Sequence, residues 1–258
     1  MYNVERKAEI INLLEKHGQV EVNSLARQFQ ISRETIRRDL AELEREGILT
    51  RTHGGAVYNQ KVRGPGYEYP VSVRGIQRYH EKNAICKYAA GLIQDGDTVF
   101  VDNSSTTVYL ARYIPRTIHA TLITNSIKLL MVAAKSPNPN ILFICLGGVF
   151  KESNLSLYGS ATVKHCAEFY PNKAFMSCAG IAPSGLVTDA SVQEIETKRL
   201  MIEHSRELFL LADYTKFSAA GQVFLTNLSP GNNIITDSKA DGEKLEALKS
   251  LGVRISVV

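Results

Sequence analysis

The chain has 258 residues, 44% of them hydrophobic and 22% charged, with 30 Lys/Arg against 26 Asp/Glu for a net charge of +4. That length accommodates two packed domains, and a balance so near neutral excludes an argument for a polyanionic partner from bulk charge alone. No apolar run approaches the roughly 18 to 20 residues of a membrane span, and the charged opening MYNVERKAEI lacks a signal peptide's apolar core, so a cytoplasmic protein with no membrane partner is expected.

From Val4 to Lys16 the residues Ala8, Ile10, Ile11, Leu13 and Leu14 follow a helical face that Gly18 ends. A second short helix fits Asn23 to Phe29, with Asn23 as its N-cap and Leu25, Ala26 and Phe29 facing inward. Ser32 caps a third helix, in which Ile36, Leu40 and Leu43 recur at i, i+4, i+7. Glu34, Arg38, Ala41 and Arg45 fall opposite that stripe and Arg37 lies on its flank. After Gly47, ILTRTH reads as a strand, Gly54-Gly55 as a tight turn and AVY as a returning strand. Three helices and a hairpin predict a winged helix-turn-helix over residues 1–58. Residues 59–77 carry Gly and Pro without periodicity and read as a linker.

The pattern changes over residues 78–258. Apolar runs at TVFVD, ATLITN, ILFICLGG, KAFMSCAGI, ELFLLAD, NIITD and VRISVV are mostly separated by helical stretches, which predicts a mostly parallel α/β sheet. Cys86, Cys145, Cys166 and Cys178 form no CxxC pair and do not alternate with His in a metal-like spacing, so reduced thiols and neither a metal site nor a cofactor are expected.

Residues 1–58 hold nine Lys/Arg and nine Asp/Glu. A nucleic-acid reading therefore rests on placement. Arg33 sits in the first turn of the third helix, where a cation opposes the helix dipole unless an anion faces it. Duplex DNA in the major groove supplies that anion. Arg37 and Arg38 present guanidinium forks to guanine or phosphate, Glu34 accepts from a cytosine amino group, and Ser32, Thr35, Arg51 and His53 hold phosphates. Glu42, Glu44 and Glu46 crowd the far end of the helix, away from the insertion point.

In the second part, VDNSSTTVYLARYI ends a strand at Asp102 and opens a helix near Thr106. The helix N-terminus with the hydroxyls of Ser104, Ser105, Thr106 and Thr107 predicts a phosphate site. Thr124 to Ser126, Gly147-Gly148 and Asp213 to Lys216 also follow apolar runs, and ligands of open parallel sheets collect beyond the carboxyl ends of strands. Lys216 is placed to neutralise a phosphate. Glu194 and Lys198, at i, i+4, read as a helix-face ion pair.

The run from RKAEIINLLEKHG to RTHGGAV, with Ser32, Thr35, Ile36, Arg37, Arg38, Asp39, Leu40, Leu43, Gly47 and the stretch His53 to Ala56, resembles the N-terminal domain of the DeoR family of bacterial transcriptional regulators. Residues 78–258 resemble that family's sensor domain, which is itself similar to ribose-5-phosphate isomerase. The resemblance implies a sequence-specific repressor of sugar-catabolism genes whose second domain senses a phosphorylated sugar. It further implies that DNSSTT is the phosphate loop and that Asp102, Ser105, Thr106, Asn125, Glu196 and Lys216 form the effector site. Ala182 stands where the family commonly has Asp after Gly180-Ile181, and the isomerase-like lysine before the pocket helix is not evident. A homodimer or homotetramer is expected from the paired half-sites that such domains read. The competing readings are a sugar-phosphate isomerase using Glu196 and Asp189 in acid/base roles, and a non-specific chromosomal protein.

Overall fold

A computed structural model describes residues 3–59 and 70–258. The chain divides into two compact units, residues 1–80 and 81–258. In the first, α1 (Asn3–His17), β1 (Gln19–Glu21), α2 (Val22–Phe29), α3 (Arg33–Arg45), β2 (Leu49–Thr52) and β3 (Gly55–Tyr58) follow one another. Ile10, Ile11, Leu14, Leu25, Ile36 and Leu40 form its core, the face that the helical spacing marked.

Three details differ from expectation. The second helix begins one residue early, with Glu21 at the cap position and no side-chain cap bond, so Asn23 lies inside α2, exposed. The turn between α2 and α3 uses no glycine. Gln30 takes the left-handed conformation at φ 54°, and Ile31 N donates to Ala26 O at 3.1 Å, which closes the helix end. The hairpin is also one edge of a three-stranded sheet in the order β1-β3-β2. The two glycines therefore have different tasks: Gly54 makes the turn at φ +91°, while a Cβ on Gly55 would meet Val20 O at 2.2 Å because β1 pairs against it.

Most of the expected linker, residues 60–69, lies outside the described residues. Its described end contains α4 (Val71–Ile76), preceded by Pro70 and burying Val71, Val73 and Ile76. Fewer than two turns of helix display no readable period, which is why the sequence hid it.

The second unit begins within α5 (Tyr79–Ala90). There follow β4 (Thr98–Val101), β5 (Ala120–Thr124), α6 (Ile127–Ala134), β6 (Ile141–Cys145), β7 (Val149–Lys151), β8 (Ser156–Tyr158), α7 (Ser160–Cys166) and β9 (Lys173–Met176). The remainder is β10 (Gly180–Ile181), β11 (Leu186–Asp189), α8 (Ile195–Glu203), β12 (Glu207–Leu211), β13 (Val223–Asn227), β14 (Asn233–Thr236), α9 (Gly242–Ser250) and β15 (Arg254–Val257). Seven parallel strands form one sheet in the order β15-β14-β12-β9-β4-β5-β6. They are the seven apolar runs of the sequence, with Phe100, Ile123, Ala174, Met176, Leu210 and Ile234 in the core.

From β4 the chain winds one way through β5 and β6, and from β9 it winds the other way. The β4/β9 boundary is thus the switch point where a parallel sheet opens a crevice. Two small antiparallel additions were not foreseen: the β7-β8 hairpin and the sheet β10-β11-β13. Three of their strands have only two or three residues, and β11 (LVTD) and β13 (VFLTN) mix in polar residues. KAFMSCAGI, read as one strand, is split into β9 and β10, which leaves Ser177 and Cys178 at the crevice. No helix among the described residues is long and apolar enough to cross a membrane.

Candidate nucleic-acid interface and effector site

The third helix shows one face and hides the other. Ile36, Leu40 and Leu43 are buried, while Arg33, Glu34, Arg37 and Arg38 are exposed. Ser32 is the cap, its hydroxyl accepting from Thr35 N at 3.1 Å and lying 2.9 Å from the Thr35 hydroxyl. Arg37 comes within 3.6 Å of Glu34, with side chains 60% and 73% exposed, a pair that solvent screens and that opens at little cost. Arg33 and Arg38 have no hydrogen-bond or ion-pair partner among the described residues.

Three acids of α3 are held by cations from elsewhere in the unit. Asp39, 1% exposed, accepts from Arg6 Nε at 2.5 Å and Arg6 Nη2 at 3.0 Å, which ties α1 to the middle of α3. That hydrogen bond raises the Arg6 guanidinium above its ordinary value against the pull of burial. Lys7 donates to Glu42, and this bond holds the Glu42 carboxyl below its ordinary value. Glu44 accepts from Arg51 through the backbone N at 2.9 Å and Nε at 2.7 Å. Arg51, expected to hold phosphate, is therefore engaged with α3, and His53 is exposed at the hairpin turn. Three carboxylates at the back and far end of α3 are paired, which leaves Arg33, Arg37 and Arg38 on the exposed amino-terminal face beside Glu34.

In the second unit the predicted effector residues separate into two groups. Asp102, fully buried, spends both oxygens on protein donors. Its Oδ1 accepts from Ser104 N at 3.1 Å and the Thr107 hydroxyl at 2.7 Å; its Oδ2 accepts from Ser177 N at 3.0 Å and Lys198 at 3.1 Å. Ser104 and Thr107 join that network, with hydroxyls 2.8 Å apart and Thr107 N donating to Ser104 Oγ at 3.1 Å. These three residues shape the loop. The Ser105 hydroxyl accepts from Lys82 at 3.1 Å, and Thr106 is buried beside it.

The expected helix at Thr106 is a 3-10 helix, Thr107–Arg112, of six residues. So short an element, with the poorer hydrogen-bond geometry of the 3-10 form, sums little dipole, and the positive helix end expected there is absent. The cation that touches this loop's hydroxyls is Lys82, through Ser105.

Lys198 lies at the switch point, donating to Ser177 O at 2.9 Å and Asp189 at 2.6 Å besides Asp102. Burial would lower its pKa, but Asp189 and Asp102 outweigh it and hold the ammonium well above its ordinary value. Conversely, burial would raise Asp189, and the Lys198 charge and hydrogen bond bring it below the usual carboxylate range. The Cys178 thiol is pushed up to about 12 by burial, against the pull of the Lys216 and Lys198 charges, and Lys216 stands half-buried in the short 3-10 helix Tyr214–Phe217 that follows β12.

Glu194 and Lys198, expected to pair with each other, do not: Glu194 faces Lys151 at 3.1 Å and Lys198 faces the two aspartates. At the start of α8 the backbone turns Glu194 toward the β7-β8 hairpin. Glu196 is exposed, away from the buried residues of α8. Asn125 is buried, with Nδ2 donating to Leu157 O at 3.0 Å. Gly147 and Gly148 are exposed, and a Cβ on Gly148, at φ +137°, would meet Thr162 Oγ1 at 2.0 Å, so that glycine serves the packing of α7. Lys82, Asn103, Lys151, Ser177 and Asp189 bond to these residues; Asn103 belongs to the DNSSTT stretch and Asp189 figures in the isomerase reading, while Lys82, Lys151 and Ser177 carry no motif in the sequence. Among the described residues no group of three His, Cys, Asp or Glu side chains is placed to hold a metal ion.

Comparison with known proteins agrees with this two-part organisation. A model of the DeoR-like helix-turn-helix domain matches residues 6–62, and a model of the DeoR C-terminal sensor domain matches residues 77–238. The HTH-type transcriptional regulator YulB of Bacillus subtilis is 33% identical over 258 residues, covering 100% of this chain and 98% of that protein. The HTH-type transcriptional repressor GlcR of the same organism is 31% identical, covering 100% and 97%, and the lactose phosphotransferase system repressor of Staphylococcus epidermidis is 32% identical, covering 97% and 98%. Among solved structures, ribose 5-phosphate isomerase A of Methanocaldococcus jannaschii is similar with a TM-score of 0.39 at 15% identity, over 53% of each chain. The chain, with its helix-turn-helix domain and C-terminal sensor domain, belongs to the DeoR family of HTH-type transcriptional regulators.

Proposed function

We propose that this protein represses carbohydrate-metabolism genes in the cytoplasm by inserting α3 into an operator's major groove, and that a phosphorylated sugar in the second unit controls it. The observation that carries the reading is the exposed set Arg33, Arg37 and Arg38 on a helix whose acids Asp39, Glu42 and Glu44 are each held by a cation of the same unit. An exposed row of guanidinium groups at the amino end of α3 is suited to base edges and phosphates. The names of GlcR and the lactose phosphotransferase system repressor support repression as the mode. Paired half-sites call for a homodimer or homotetramer.

For the effector, Ser105 and Thr106 supply hydroxyls and Lys82 and Lys216 supply charge at one edge of the sheet. The isomerase alternative draws little support: of its two candidate carboxylates, Asp189 is locked to Lys198 and Glu196 faces solvent.

Selection of duplexes from a random pool by the full chain tests the DNA reading. Convergence on a sequence with two half-sites is the expected result. Uniform affinity that falls steeply with salt would establish the non-specific alternative. For the effector, Ser105→Glu is expected to leave DNA binding intact while removing the response to pentose and hexose phosphates, and an unchanged response would displace the phosphate from this loop.

A further inference from the structure

The loop and its lysines account for a phosphate and leave two buried groups unanswered. Asn103 is 5% exposed and Asn125 1%. Chemistry fixes which way each amide points, because a nitrogen and not an oxygen must face an acceptor. Asn103 Nδ2 lies 2.6 Å from Glu194 Oε1, and Asn125 Nδ2 lies 3.0 Å from the Leu157 carbonyl oxygen. Both Oδ1 atoms are consequently turned away from those acceptors, buried, with no donor among the described residues. Buried amide oxygens ordinarily have a donor.

The two asparagines follow neighbouring parallel strands, β4 and β5, whose spacing is about 4.8 Å, a distance that a chain of hydroxyl-bearing carbons spans. Both are pinned to consecutive residues of β8. Asn125 binds Leu157 directly, and Glu194, which holds Asn103, also accepts from the Ser156 hydroxyl. Glu194 is gripped further by Asn154 at 2.7 Å and Lys151 at 3.1 Å. Burial would raise its carboxyl, but the hydroxyls of Ser156 and Ser191, the Lys151 charge and Asn154 hold it below the ordinary carboxylate value. It stays ionised and cannot donate to Asn103. The neighbouring charges are already paired, Lys151 with Glu194 and Lys198 with Asp102 and Asp189, so the two oxygens call for no further ion. An uncharged hydroxyl is the donor that fits.

We infer that Asn103 and Asn125 are specificity-determining acceptors for the hydroxyl groups of the bound polyol, and that Glu194 is the positioning residue that keeps the Asn103 oxygen turned toward them. This rests on the reading of the neighbouring loop as a phosphate site.

Calorimetric titration of the full chain with inorganic phosphate, a panel of aldose and ketose phosphates, and the deoxy analogues of the best binder tests it. Asn103→Leu and Glu194→Gln are expected to weaken the best sugar phosphate at least tenfold and to leave inorganic phosphate within about twofold. In the second variant an amide in place of the Glu194 carboxylate offers both a donor and an acceptor, so the Asn103 side chain is free to turn over. The deoxy analogue should bind the variants no worse than the parent sugar does. Equal loss for inorganic and sugar phosphate, or no loss, overturns the inference and spares the phosphate loop. Should Asn103→Leu fail to fold, wild type binding every deoxy analogue as tightly as its parent overturns it. Wild type that binds inorganic phosphate and no sugar phosphate overturns the hydroxyl assignment alone, and wild type that binds none of the probes overturns both.

Discussion

The two units bury ionic groups in opposite ways. In the first, three of the four acids of α3 are matched one to one by cations from elsewhere in the unit, Asp39 by Arg6, Glu42 by Lys7 and Glu44 by Arg51, while Glu34 lies beside Arg37 on the exposed face. In the second, one buried ammonium, Lys198, serves two buried carboxylates, Asp102 and Asp189. The first arrangement removes negative charge from the vicinity of an outward face. The second closes a crevice and holds a loop in shape. Charge pairing near a surface thus clears a binding face by subtraction, whereas pairing in the interior positions groups that do not themselves meet the partner.

The harshest way to break the comparison is Lys198→Met. It leaves Asp102 and Asp189 buried without their cation, and the expected loss is about 3–5 kcal/mol in the second unit, read by chemical denaturation, with the first unit's transition unmoved. Asp39→Ala strands a single guanidinium, most of whose long stem can carry it outward, so about 3 kcal/mol is expected, confined to the first unit. A smaller loss from Lys198→Met than from Asp39→Ala would show that the shared ammonium is not what holds the crevice.

Arg38→Ala sharpens the other half. It removes no internal pair, so stability should stay within about 0.5 kcal/mol. Discrimination between operator and random duplex should fall by about 1–3 kcal/mol in fluorescence anisotropy. Equal weakening on every sequence would mark Arg38 as a phosphate contact.

Acid is the gentlest perturbation. Asp189 and Glu194 have folded-state values below the ordinary carboxylate value, so their contribution is present above about pH 4 and is lost as pH falls through the lowered values. Glu42 and Glu44 are lowered too, but they are near solvent and salt screens them. Thermal melts from about pH 7 to 3 should show the second unit losing stability regardless of salt, and the first unit's acid response flattening in high salt.

Much of this was legible in residue order. The stripe Ile36, Leu40, Leu43 repeats at helical spacing and the seven sheet strands are short apolar runs, so local periodicity marks both. Helix α4 and the strands β7, β8 and β10 are too short to carry a period, β11 and β13 are not purely apolar runs, and pairing partners decide them. The site residues divide in the same manner. Ser32 and the hydroxyl loop 104–107 announce themselves by composition, while Lys82 and Lys151 are ordinary charged residues, and the partners of Asp189 and Glu194 are undecided, until the fold assembles them.

By itself the sequence determined the inward stripe of α3, the seven apolar runs of the parallel sheet, and that three arginines stand on one short helix, because those properties depend on near neighbours in the chain. Only the tertiary structure decided that Arg51 pairs with Glu44 at the surface, that Glu194 and Lys198 part company, and that Asn103 and Asn125 offer their oxygens at adjacent strand ends. Those outcomes depend on charges and hydrogen bonds between residues up to 91 positions apart, as with Asn103 and Glu194. No local pattern encodes such pairings, since a buried polar group settles on whichever partner folding brings to it.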